Sequence, residues 1–86
     1  MTHHRELVAR GALLLDVRTP AEFQEAHLPT ARNIPVQELP GRLHEVGSTD
    51  RDVVVYCRSG GRSAAASAIL RAAGYQVRDL GPISAW

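Results

Sequence analysis

The residues best equipped for chemistry in this sequence are Cys57-Arg58-Ser59-Gly60-Gly61-Arg62-Ser63, which set its one cysteine between an apolar run and the start of a helix. The preceding Val53-Val54-Val55-Tyr56 is β-branched and aromatic, as in a buried parallel strand. The following Ser63 to Leu70 is rich in strong helix formers. Gly60 and Gly61 let the intervening backbone curl so that successive N–H groups point inward, and the helix behind adds its positive N-terminal end. Such a loop favours anything negative, including the thiolate of Cys57 itself. A lone cysteine without these neighbours reads most simply as a small core residue; the loop and helix start argue for a nucleophile.

Charged residues nearby divide into those that could meet an anion and those that need a partner. Arg62 opens a helix against the dipole, so an ion pair is expected for it, with Asp16 and Glu22 as the partners at hand. Asp16 follows the apolar run Leu13-Leu14-Leu15, is therefore desolvated, and must be paired; bracing the loop is its expected role. Arg18 could steer anions, although a bracing salt bridge is the simpler reading. Glu22 is accounted for by a capping box, and His27 by the C-terminal end of a short helix.

The elements that would position these groups alternate. A short helix over about 4–10 stops at Gly11, and a strand follows over 12–17. Thr19-Pro20-Ala21-Glu22 matches a capping box with proline at the first helical position, predicting a helix over 20–26. A short strand over 31–34 precedes Pro35; a helix beginning at Val36 should be interrupted by Pro40-Gly41. Then come a polar turn, the strand 53–56, a helix over 62–73 closed by Gly74, a last strand over 75–80, and a turn at Gly81-Pro82. Alternation of this kind predicts an α/β fold: a small, open, mostly parallel sheet of four to five strands with helices on both faces. Ligands of such sheets bind beyond the carboxyl ends of the strands, where Asp16, Arg18 and Cys57 all fall.

At 86 residues the chain reads as one domain, 1–86, with little interior for a ligand-enclosing cavity. Ten basic residues nearly cancel nine acidic ones, so net charge argues for neither a nucleic-acid nor a membrane partner. One cysteine excludes an internal disulfide and a cysteine-cluster metal site, and it suits a reducing compartment; the polar start and the shortness of the Leu13-Leu14-Leu15 run complete a cytoplasmic expectation. Neither a metal nor an organic cofactor is implied.

Four blocks in register resemble the rhodanese-like domain family, single-domain sulfurtransferases among them. Asp16-Val17-Arg18-Thr19-Pro20-Ala21-Glu22-Phe23 looks like the family's first signature and His27-Leu28-Pro29-Thr30-Ala31-Arg32-Asn33-Ile34-Pro35 its second. Val53 to Ser63 is similar to the active-site strand and loop, and Gly74-Tyr75 through Leu80-Gly81 with Ala85-Trp86 to the closing block. The resemblance implies that Cys57 attacks the outer sulfur of an anionic donor such as thiosulfate and holds it as a persulfide, which a thiol, cyanide or a protein acceptor removes. The loop N–H groups from Arg58 to Ser63 and the Ser63 hydroxyl would stabilise the charged sulfur, and Arg58 would meet the donor.

From Cys57 to Arg62 the loop has six residues, the length that the resemblance associates with sulfur transfer; related phosphatases and arsenate reductases carry one more. The alternative is a non-enzymatic module that carries sulfur between proteins or binds an anion or a protein. Ala26 and Thr30 stand where the family usually has glycine, Gly81-Pro82 replaces a double glycine, and the strand that relatives often carry before Leu7 is hard to find.

Overall fold

The computed structural model describes residues 3–86. Four strands, β1 (Leu13–Asp16), β2 (Arg32–Asn33), β3 (Val53–Cys57) and β4 (Val77–Pro82), form one sheet in the order β2-β1-β3-β4, every pair parallel. The helices are α1 (His3–Ala9), α2 (Pro20–Glu25) and α3 (Gly61–Ala72), with 3-10 segments at Val36–Glu45 and Ile83–Ala85. The expected α/β class therefore holds, at the lower strand count and wholly parallel.

Continuous rather than alternating apolar runs in β1 and β3 follow from burial on both faces. Leu13, Leu15, Val17, Val53, Val55 and Cys57 point to one side, where they meet Ala66 and Leu70 of α3 and Leu39 of the first 3-10 segment. Leu14, Val54 and Tyr56 point to the other, against Leu28, Leu80, Leu7, Val8, Ile83 and Trp86. Leu14, Leu15, Val54 and Val55 are no more than 1% exposed, and full burial of each such side chain contributes about 1.5–3 kcal/mol. The central strands are thus the most firmly held part of the molecule, and both end at the functional edge.

The order in which strands are added to the sheet reverses between those two. From β1 the chain turns outward to β2, and from β3 it turns the other way to β4, so the crevice between the carboxyl ends of β1 and β3 is the switch point of the sheet. Asp16 sits opposite Tyr56 there, one residue before Cys57.

The segment after Val36 is interrupted as expected: its 3-10 structure, from Val36 to Glu45, is two pieces joined at a kink at Arg42, φ −125° and ψ 21°, directly after Pro40-Gly41. Arg42 bonds Glu38 at 2.9 Å on one side of the kink and Glu45 at 2.7 Å on the other, stapling both pieces. One local expectation needs correction: Gly81-Pro82 belongs to β4 instead of ending it. Register slips so that Val55 pairs Asp79 while Tyr56 pairs Gly81, leaving Leu80 as the extra residue. Gly81 takes φ +82°, a left-handed value that glycine adopts freely, and the slip brings Pro82 beside Cys57.

Candidate active site

Cys57 ends β3, and the chain turns at once through Arg58, Ser59 and Gly60 into α3. Gly60 is the N-cap residue, held at φ +106°, and has no side chain to receive the free N–H groups of the first helical turn. The sulfur of Cys57 is an acceptor at this turn. The Gly60 N–H donates to Cys57 Sγ at 2.8 Å. Ser63, one turn into α3 and fully buried, donates its hydroxyl to Gly60 O at 3.0 Å, and that carbonyl also takes the first helical bond from Ala64.

Two opposing effects act on the thiol. Burial pushes it up, since Cys57 has no exposed surface, and the Ser63 hydroxyl with the backbone N–H groups of Ser63, Gly60 and Ser59 pulls it down. The donors win, so Cys57 titrates below an ordinary thiol. Because the Ser63 proton can face either Gly60 O or the sulfur, it can follow the charge as it appears. Arg58, Ser59 and Gly61 are exposed on the rim while the sulfur lies buried on the floor.

Glu22 reaches this loop from α2. Its carboxylate closes the capping box, accepting from the Thr19 N–H at 2.9 Å, while the Thr19 hydroxyl accepts from the Glu22 N–H at 3.2 Å. The same carboxylate takes both Arg62 nitrogens, Nη1 at 2.7 Å and Nη2 at 3.0 Å. Arg62 and the Thr19 N–H hold its pKa down at about 2. This bidentate bond ties α2 to the first turn of α3.

Asp16 does not partner Arg62, one of the two pairings expected for it; it is buried with Arg18. The Arg18 guanidinium meets Asp16 Oδ2 at 2.7 Å and the Arg18 N–H meets Asp16 Oδ1 at 2.9 Å. Arg18 Nη2 also donates to Ala26 O at 2.6 Å, holding the end of α2, and its guanidinium lies 5.6 Å from the Tyr56 ring centre. Removing one member of such a pair strands the other charge, at a cost of about 3–5 kcal/mol. Arg18 is thereby committed to the frame, whereas Arg58 makes no ion pair among the described residues.

Two residues outside the expected set complete the edge. Asn33 Nδ2 donates to Asp16 O and to Arg18 O, both at 3.0 Å, clamping the end of β1. The Tyr56 hydroxyl accepts from the Leu28 N–H at 3.1 Å, and burial raises its pKa well above the usual phenol value. Asn33 lies in register beside Asp16, but nothing in its own neighbourhood announces two long-range carbonyl partners. His27 bonds Phe23 O at 2.8 Å and stacks on the Phe23 ring, outside the cradle.

A concavity of about 500 Å³, lined by Leu7, Arg10, Gly11, Ala12, Asp50, Arg51 and Asp52, lies at the other end of the sheet, where β1 and β3 begin. It holds neither the thiol nor any group bonded to it, so the loop is the better candidate. Among the described residues no group of His, Cys, Asp or Glu converges on a metal position, and no helix is long and apolar enough to cross a membrane.

Comparison with known proteins shows the relatives of this chain. A sulfurtransferase of Allochromatium vinosum is 49% identical over 76 residues, covering 86% of this chain and 70% of that protein. Thiosulfate sulfurtransferase 16 of Arabidopsis thaliana, a chloroplastic protein, is 36% identical over 99 residues, covering all of this chain and 82% of its own. In two further relatives, 45% and 46% identical, the matched region makes up only 48% and 34% of the protein. The structure of a rhodanese with anions from E. coli superposes with a TM-score of 0.82 at 33% identity, covering 88% of this chain and 92% of that one. The rhodanese-like domain model matches residues 2–86, and the chain belongs to the rhodanese-like domain family, which includes sulfurtransferases.

Proposed function

We propose that this domain is a thiosulfate or persulfide sulfurtransferase working through a Cys57 persulfide. The observation that carries the reading is the sulfur itself: a thiol drawn below its ordinary pKa by the Ser63 hydroxyl and loop N–H groups against the opposing effect of burial. In the first step the Cys57 thiolate attacks the outer sulfur of thiosulfate, the S–S bond of the donor breaks with its electrons leaving on sulfite, and Cys57–S–S⁻ remains. In the second, a thiolate or cyanide takes the outer sulfur and the Cys57 thiolate is regenerated, so charge balances across each step.

Roles follow from position. The Gly60 N–H already bonds Sγ at 2.8 Å, and the same loop donors are aimed at negative charge arriving one sulfur further out. Arg58, exposed and free of ion pairs among the described residues, suits the recognition of an anionic donor, since a guanidinium can bond two oxygens at once. Arg62, Glu22, Asp16 and Arg18 hold the helices that frame the loop. A protein persulfide could serve as donor and a protein thiol as acceptor, because the rim is open to solvent; a reducing setting such as the cytoplasm keeps the resting thiolate free. Intact mass after exposure to thiosulfate alone tests the reading: the domain gains the mass of one sulfur, and Cys57→Ser gains none.

A further inference from the structure

The charges around the loop do not contribute equally to what enters it. Arg18 is buried and neutralised by Asp16. Arg62 lies close enough to Cys57 for the thiolate to act on it, with Glu22 the stronger influence. Both of its terminal nitrogens are spent on Glu22. The Glu22 carboxylate is itself fixed by the Thr19 N–H and accepts from the Thr19 hydroxyl at 3.1 Å, so it cannot swing aside without opening the capping box. The first turn of α3 holds no acidic residue, and Arg58 is the cation left uncompensated on the rim among the described residues.

From this ledger we propose that Glu22 sets the charge preference of the site: by holding Arg62 in a bidentate pair it withholds that guanidinium from the mouth, so that doubly charged sulfur donors are disfavoured relative to singly charged ones. The inference rests on the sulfur-transfer reading for its substrates, but the electrostatic part stands on the pair alone. The capping box explains why a carboxylate or amide stands at position 22. It does not require the charge.

Two matched reagent pairs read the effect. Iodoacetate and iodoacetamide alkylate the same sulfur with the same leaving group and differ by one negative charge, and the thiolate fraction cancels from their rate ratio. Thiosulfate and methanethiosulfonate both surrender an outer sulfur to the Cys57 thiolate, releasing sulfite from the first and methanesulfinate from the second, and again differ by one charge. Glu22→Gln keeps an oxygen to accept from Thr19 and frees Arg62. A unit charge released at the first turn of α3, in a partly exposed site, should raise both ratios in favour of the more negative reagent by about threefold to tenfold, less at high salt. Glu22→Gln/Arg62→Gln should return near the wild-type value, and Arg62→Gln alone, which leaves the carboxylate unopposed, should fall below it. Ratios unchanged or lowered in Glu22→Gln, or still raised in the double variant, would overturn the proposal; should Glu22→Gln fail to fold, no decrease in Arg62→Gln would do the same. If the alkylation ratio moves while neither donor loads sulfur onto any form, the preference stands and the sulfur-transfer reading falls.

Discussion

Replacing Ser63 by alanine isolates one of the donors that hold the Cys57 thiol below its ordinary pKa. When the thiol is neutral, the hydroxyl bonds Gly60 O at 3.0 Å, a neutral bond with a net value of about 0.5–1.5 kcal/mol. When the sulfur ionises, the same proton can turn to it, and a bond to a charged group contributes about 1.5–3 kcal/mol. The difference, about 1.4 kcal/mol, is what Ser63→Ala removes from the thiolate alone, and it corresponds to about a tenfold change in the ionisation equilibrium. Gly60 O keeps its bond from the Ala64 N–H at 3.1 Å, so the variant leaves no orphaned carbonyl and should fold. Iodoacetamide alkylation followed against pH is the assay. The acid limb should drop about tenfold in rate while the alkaline plateau is unchanged, with thiolate absorbance near 240 nm shifting in parallel. A superimposable profile, or one shifted toward acid, would refute the assignment of Ser63 as a donor to the charged sulfur.

Two further outcomes concern the frame. Thr30 is β-branched yet holds φ +67° in an exposed turn, so Thr30→Gly should relieve about 1–2 kcal/mol of backbone strain against about 0.5–1 kcal/mol of added chain entropy; thermal unfolding should rise by about 3–6 °C, and a fall would refute the strain. Glu22 is held down at about 2 by Arg62 and Thr19. A depressed carboxylate contributes stability that is present above its unfolded value, near 4.3, and is lost as pH falls toward its folded one. The stability gap between wild type and Glu22→Gln, followed by urea denaturation, should therefore be full at pH 7 and close between about pH 5 and pH 2; a gap that persisted at pH 2 would assign it to something other than charge.

Local signals carried far in this chain, and their limits are physical. The β-branched run ending at Cys57, the paired glycines and the helix formers behind them mark strand, turn and helix by residue type alone, and the structure builds β3 and α3 within a residue of those bounds. Thr19-Pro20-Ala21-Glu22 is read from spacing as a cap, and the cap is there. That cap, being a sufficient local explanation for Glu22, hid the second partner: Arg62 stands 40 residues away, and no periodicity links them. The need of Asp16 for a partner follows from its apolar strand, but choosing Arg18 over Arg62 requires the turn after β1 to fold the guanidinium back, which is a matter of geometry. The slip at Leu80 was hidden because Gly81-Pro82 reads as a turn by composition, whereas pairing with Tyr56 and Cys57 draws those residues into the sheet.

The central claim is that Cys57 turns over sulfur, and thiocyanate production from thiosulfate and cyanide, compared between wild type and Cys57→Ser, tests it most directly. The account predicts steady turnover that depends on both substrates in the wild type and none in Cys57→Ser, whose circular dichroism and unfolding should stay close to wild type because the replacement is nearly isosteric. Turnover surviving in Cys57→Ser, or a wild type that forms no thiocyanate and takes up no sulfur from thiosulfate, would contradict it.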